Sequence, residues 1–373
     1  MNISDYLNRY SSNTICATSN QHIVRYEKEK TFTSRAFYKI THGGKYAYSF
    51  LFEDTVSGQY RRETLPNTTV GGWQITKASV YRSSALPTDE NEILSLDLAT
   101  VTLSEPHSLT FDGCAERLFN PGDIHTTDEI TLDLSEGETI CLELSVKARS
   151  FPYNAELQAP AYRLTGGEWK YSLETPVPAM IGCTRKPSAS SIAYIGDSIT
   201  QGCGAGIGSY KHMTALVSEL IGQEYSYFNL GIGYGTALAA ATDGAWLRKA
   251  KPADIVFVSF GVNDVNSGKD ADTIYGSLER VVDLLGDAGC NIILQTPPPF
   301  DYPEPKRSEW LKLSDMIVTK LSAKAIATFD TRTVLSLSPT KPEIAKYGGH
   351  PNAEGCSIWA RTLYESIRHL FNR

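Results

Sequence analysis

Ile192-Ala193-Tyr194-Ile195-Gly196-Asp197-Ser198-Ile199-Thr200 is the stretch on which the reading of the fold turns. Its apolar run predicts a strand, and the segment after it sets a serine at the strand's carboxyl end. In open α/β sheets, ligands bind in the crevice beyond the carboxyl ends of the strands. Three later segments fall at equivalent positions: Asn229-Leu230-Gly231-Ile232-Gly233, Gly261-Val262-Asn263-Asp264 and His350-Pro351-Asn352.

Working outward, apolar strands are predicted at 192–195, 226–230, 254–260, 291–295 and 325–329. Between them lie helical stripes: Met213, Leu216, Val217, Leu220 and Ile221 on one, and Ile274, Leu278, Val281, Val282 and Leu285 on another. A last helix carries Trp359, Leu363, Ile367 and Leu370. Strands alternating with helices predict a parallel, doubly wound, flavodoxin-like sheet over residues 186–373.

Upstream the period changes. Ile130, Leu132 and Leu134 alternate with polar residues, Ser135-Glu136-Gly137-Glu138 makes a turn, and Ile140, Leu142, Leu144 and Val146 alternate again. Period two on both sides of a short turn predicts a hairpin with one buried face. Further runs at 46–52, 73–81 and 109–111 extend the pattern, so residues 1–185 are expected to form an all-β sandwich. The Pro/Ser stretch Lys186-Pro187-Ser188-Ala189-Ser190-Ser191 marks the boundary.

At 373 residues, two domains are expected. A net charge of -7, without a Lys/Arg-rich run, argues against a nucleic-acid partner. No run approaches the roughly 20 apolar residues of a membrane helix, and the start Met1-Asn2-Ile3-Ser4 lacks a signal-peptide pattern. Seven scattered cysteines without a C-x-x-C pair read as reduced thiols, and the expectation is a cytoplasmic protein with no membrane partner. Histidines 22, 42, 107, 125, 212 and 369 show no metal-ligand spacing, so neither metal nor organic cofactor is expected.

Acyl transfer needs a nucleophile, a base and donors for an oxyanion, and the four segments supply candidates for each. Ser198 is the candidate nucleophile and His350 its base. Asn263, the N–H of Ser198 and a further N–H from the 231–235 turn, at Gly233 or Tyr234, are the candidate oxyanion donors. Asp197 and Asp264 are read as structural carboxylates that hold turns. Gly202-Cys203-Gly204-Ala205-Gly206 fails the dinucleotide pattern G-x-G-x-x-G in either register, and Thr200 breaks the G-x-S-x-G elbow. The loop from Pro297 to Glu309 leaves the fourth strand on the same edge and is the candidate substrate loop.

In order and spacing, these four blocks resemble the SGNH (GDSL) hydrolase superfamily over roughly residues 190–373. The resemblance implies a three-layer α/β esterase domain that works through a serine-acyl intermediate. A preceding β-sandwich is similar in arrangement to carbohydrate esterases of family two, which remove acetyl groups from polysaccharides. Two positions depart from the family pattern. Tyr347 stands where an aspartate usually orients the histidine, so a Ser-His dyad is expected, with Nδ1 of His350 held by a backbone carbonyl or by an acid from elsewhere such as Glu343. Tyr234 stands at the usual glycine of the second block, where its backbone N–H survives the exchange.

The expected activity is therefore hydrolysis of small acyl esters, O-acetyl groups on a sugar or oligosaccharide foremost. The rivals are a lipid or thioester acylhydrolase on the same site, and a glycan-binding protein with a catalytically dead carboxyl domain. Composition does not rank the roles of the sandwich, and homo-oligomer formation is left open.

Overall fold

The computed structural model describes residues 2–371 except 62, 301, 336–344, 347 and 348, with only the main chain of 333, 345 and 346. The chain divides into two compact units, Met1–Lys186 with Ile207–Ser209, and Pro187–Gly206 with Tyr210–Arg373.

The first unit is antiparallel β structure in two sheets. The larger runs in the order Glu168–Tyr171, Ala161–Thr165, His22–Lys39, Thr139–Tyr153, Trp73–Ser83, His107–Leu109, with Arg117–Phe119 also on Trp73–Ser83. The smaller sets Ser11–Ser12, Met180–Cys183, Gly44–Glu53 and Ile124–Thr126 side by side, with Ile130–Leu134 also on Gly44–Glu53.

The predicted hairpin does not form. Ile130–Leu134 pairs with Gly44–Glu53 in the smaller sheet, whereas Thr139–Tyr153 pairs with His22–Lys39 and Trp73–Ser83 in the larger. The turn closes as expected, with Glu138 N–H on Ser135 O at 3.1 Å, but it is a step from sheet to sheet. Leu132 and Leu134, like Ile140, Leu142, Leu144 and Val146, are buried. A two-residue period reports which side chains face the core; it does not say which strand lies alongside.

The second unit holds five parallel strands, numbered here within this unit: β1 Ser191–Gly196, β2 Ser226–Asn229, β3 Ile255–Ser259, β4 Asn291–Gln295 and β5 Ala327–Phe329. Their order is β2-β1-β3-β4-β5, the flavodoxin-like order. The strands are apolar on both faces because helices cover both. The helices are α1 Ser198–Gln201, α2 Met213–Ile221, α3 Ala237–Ala240, α4 Ala245–Ala250, α5 Val262–Asn266, α6 Ala271–Gly286, α7 Lys306–Thr319 and α8 Ala353–Ile367. The chain passes from β1 to β2 at one edge and then back beyond β1 to β3, with helices between successive strands. Strand order reverses between β1 and β3, so the crevice beyond their carboxyl ends is the switch point where a site is expected.

The stripe on α6 is buried as predicted, from Ile274 to Leu285. On α2 the buried face is rotated. Met213 and Val217 are inside with Thr214 and Ser218, while Leu220 is 39% exposed. Polar partners cause the rotation: Ser218 Oγ meets Tyr194 OH at 2.8 Å, and Thr214 Oγ1 takes a hydrogen from Asn229 Nδ2 at 2.9 Å. Helix α8 stops at Ile367, and Leu370 lies in a following 3-10 turn.

Candidate active site

Ser198 opens α1 two residues beyond the end of β1, on a turn that several groups pin. Asp197 caps the turn, its Oδ1 accepting the Ile199 N–H at 3.0 Å. This is the structural role expected of it. Gly202 ends the turn with φ +117, a left-handed conformation that suits glycine, and gives its N–H to Ser198 O at 3.0 Å. Gly196 must be glycine for a different reason. A Cβ there would stand 2.1 Å from Thr200 Oγ1 and 2.5 Å from Ser259 O.

From the end of β2, Asn229 reaches across to the same turn. Its Nδ2 donates to Thr200 O at 3.0 Å and to Thr214 Oγ1, and its Oδ1 accepts the Gly231 N–H at 3.0 Å. Gln201, wholly buried, accepts the Gly233 N–H at its side-chain oxygen. That bond corrects one expectation: the Gly233 N–H is spent inside the protein and does not serve the crevice. Tyr234, next along, has φ +59, a conformation that costs a non-glycine residue of order 1–2 kcal/mol. This is the place where the family pattern has glycine, and tyrosine adopts a backbone suited to glycine.

Asn263 lies in the first turn of α5, beyond β3, with its Nδ2 on Gly235 O at 3.0 Å. One amide hydrogen is thus fixed, and its direction fixes that of the other. Asp264 beside it is buried and accepts the Ala237 N–H at 3.1 Å. Burial raises its pKa to about 6, against the pull of the Ala237 and Leu238 N–H groups. Its work is on the start of α3, in line with the structural role expected.

His350 sits on a two-residue strand, His350–Pro351, paired with Ala345–Lys346 just before the Asn352 cap of α8. Its Nε2 is 2.8 Å from Ser198 Oγ. The structure therefore joins two residues 152 positions apart in sequence at hydrogen-bond distance. Gly204 lies against the histidine, since a Cβ there would be 2.9 Å from His350 Cβ. Phe300, from the loop after β4, meets the imidazole edge-to-face at 5.4 Å. Phe300 falls within the expected substrate loop, but neither it nor Gln201 has a role assigned from the sequence. Glu343, the sequence candidate for a third acid, and Tyr347 lie outside the described residues.

Two tryptophans near this edge are structural. Trp246 Nε1 donates to Leu230 O at 2.7 Å, and Trp310 Nε1 to Pro297 O at 2.8 Å. Among the described residues, none of the seven cysteines is joined in a disulfide. Among the described residues no cluster of three or more His, Cys, Asp or Glu is placed to hold a metal, and no helix is long and apolar enough to cross a membrane.

The sequence model of the GDSL-like Lipase/Acylhydrolase family matches residues 194–358, which span the Ser198, Asn263 and His350 segments. The second unit carries a GDSL hydrolase domain. No curated protein matches the chain significantly. Among solved structures, the family two carbohydrate esterase of Cellvibrio japonicus is similar at 12% identity over 97% of each chain, with a TM-score of 0.40. The M. smegmatis aryl esterase is similar at 17% identity, covering 49% of this chain and 100% of its own, with a TM-score of 0.41. The carbohydrate acetylesterase Est24 of Sinorhizobium meliloti is similar at 18% identity, covering 49% and 100%, also at 0.41. In this chain the GDSL domain follows a β-rich unit.

Proposed function

We propose that the GDSL domain is a serine esterase that removes small acyl groups, O-acetyl on carbohydrate foremost, through an acyl-enzyme intermediate. The observation that carries the reading is the 2.8 Å contact between Ser198 Oγ and His350 Nε2 at the switch-point crevice. A nucleophile within hydrogen-bond reach of its base is the first geometric requirement of the chemistry.

In the first half-reaction Ser198 Oγ attacks the ester carbonyl and its proton passes to His350 Nε2. The oxyanion is held by the second amide hydrogen of Asn263 and the main-chain N–H groups of Ser198 and Tyr234. Collapse breaks the bond to the alcohol oxygen, which takes the proton from His350, and Ser198 keeps the acyl group. Water then attacks the acyl-serine with His350 again as base, releasing the acid and restoring the hydroxyl.

A sugar ester is the proposed substrate. This assignment rests on domain order, a β-sandwich ahead of the hydrolase domain, which resembles carbohydrate esterases of family two. A catalytically dead binding protein is disfavoured by the Ser198–His350 contact, which a decayed site has no reason to keep. The test is hydrolysis of aryl esters from acetate to octanoate, with Ser198→Ala as control. A preference for acetate that disappears in the variant supports the reading. Rates that rise with chain length point to a lipid or thioester acylhydrolase, and the absence of serine-dependent turnover overturns the esterase assignment.

A further inference from the structure

A second histidine stands beneath the turn that carries Ser198. His212 is buried, and the chemistry proposed above makes no use of it. It occupies the N-cap of α2, where its Nδ1 accepts the Ala215 N–H at 3.3 Å. A backbone N–H can only donate, so Nδ1 is unprotonated and acts as an acceptor. The Thr214 hydroxyl lies 2.7 Å from the same nitrogen. That hydroxyl has one hydrogen, and it already accepts from Asn229 Nδ2 at 2.9 Å. Its other neighbour, Thr200 O, is more distant at 3.4 Å. The bonds therefore run one way, from Asn229 to Thr214 to His212.

This chain ends on the nucleophile turn at two points. Asn229 holds Thr200 O from one side. The imidazole itself backs Gly202, the last residue of the turn: a Cβ on Gly202 would lie 2.9 Å from His212 Cγ and Cδ2. A helix cap needs only the Ala215 contact. The Thr214 bond and the seat against Gly202 serve the turn instead. Burial holds the ring neutral, which keeps Nδ1 available.

We propose that His212 is a positioning residue for Ser198, one that fixes the nucleophile turn through Thr214 and Gly202 and so sets the serine relative to His350. The inference rests on the reading of Ser198 as the nucleophile.

The experiment measures kcat, KM and thermal stability on an aryl acetate for His212→Leu, His212→Asn, Thr214→Val and the Leu/Val double variant, with Ser198→Ala alongside. His212→Leu and Thr214→Val should each lower kcat about tenfold to hundredfold with KM nearly unchanged, the size expected when a reacting group is misplaced from a distance. His212→Asn, whose amide oxygen restores an acceptor and a good helix cap, should recover most of the rate. The double variant should fall no further than the worse single, because both cut one chain. A folded Thr214→Val enzyme with wild-type kcat, or losses that multiply in the double variant, overturns the proposal. Thr214→Val keeps the side-chain shape and reports on the same bond even if His212→Leu does not fold. Activity surviving in Ser198→Ala would instead overturn the nucleophile assignment, and this inference with it.

Discussion

The side-chain oxygen of Gln201 holds the main-chain N–H of Gly233. One bond thereby ties the turn carrying Ser198 to the turn whose next residue, Tyr234, is proposed to donate its main-chain N–H to the oxyanion. Gln201→Ala would leave a buried N–H without an acceptor, at a cost of about 1–3 kcal/mol. Chemical denaturation should show that loss together with a lower kcat, and an unchanged variant would show that the bond is dispensable.

Asn263 presents one amide hydrogen to Gly235 O and is proposed to offer the other to the oxyanion. For Asn263→Ala, kcat is expected to fall by about 10²- to 10³-fold, the usual effect of losing one such donor. Steady-state kinetics on an acetyl ester read this directly; a kcat within the error of wild type would remove Asn263 from the mechanism.

Gly231 lies flat against the nucleophile turn. A Cβ on it would stand 2.3 Å from Gln201 N and 2.6 Å from Thr200 C, both main-chain atoms that cannot swing aside. Gly231→Ala should therefore displace the turn, costing about 1–3 kcal/mol in stability as overpacking does and lowering kcat as well. Melting and turnover like those of wild type would contradict the close approach.

Asp264 and His212 act against each other in acid. Burial raises Asp264 from 3.8 to about 6 and lowers His212 from 6.5 to about 4. Between about pH 4 and 6 the folded chain holds more of the Asp264 proton than the unfolded chain does, so this group's contribution to stability falls as pH rises. Over the same range the unfolded chain holds more of the His212 proton, so that contribution rises with pH and is lost as pH falls toward 4. Each is of order 3 kcal/mol across the range, at about 1.4 kcal/mol per pH unit, and the two largely cancel. Asp264→Asn leaves His212 unopposed, so its stability should climb with pH more steeply than that of wild type. Urea unfolding at pH 4, 5 and 6 measures this; parallel curves would contradict it.

Much of the hydrolase domain was legible because its signals are local. Apolar runs of strand length alternate with helical stripes, and the chemical residues follow the runs, so β1 to β5 could be placed from the sequence. Partnership was not legible in the same way. The alternation around Ser135 to Glu138 told correctly which side chains are buried, yet Ile130–Leu134 and Thr139–Tyr153 lie in different sheets. On α2 an apolar stripe was expected, but hydrogen bonds from Asn229 and Tyr194 draw Thr214 and Ser218 inward. Gly233 looked like an oxyanion donor from its place in the block. Only the fold shows that Gln201, 32 residues away, takes its N–H.

Ser198, activated by His350, is proposed to carry the acyl group. The most direct test is the intact mass of the protein after treatment with a serine-directed fluorophosphonate, followed by peptide mapping. One adduct is expected on Ser198 in the wild type, none on Ser198→Ala, and greatly slowed labelling in His350→Ala, whose base is gone. Labelling at another residue, or at Ser198 with an undiminished rate in His350→Ala, would contradict the account.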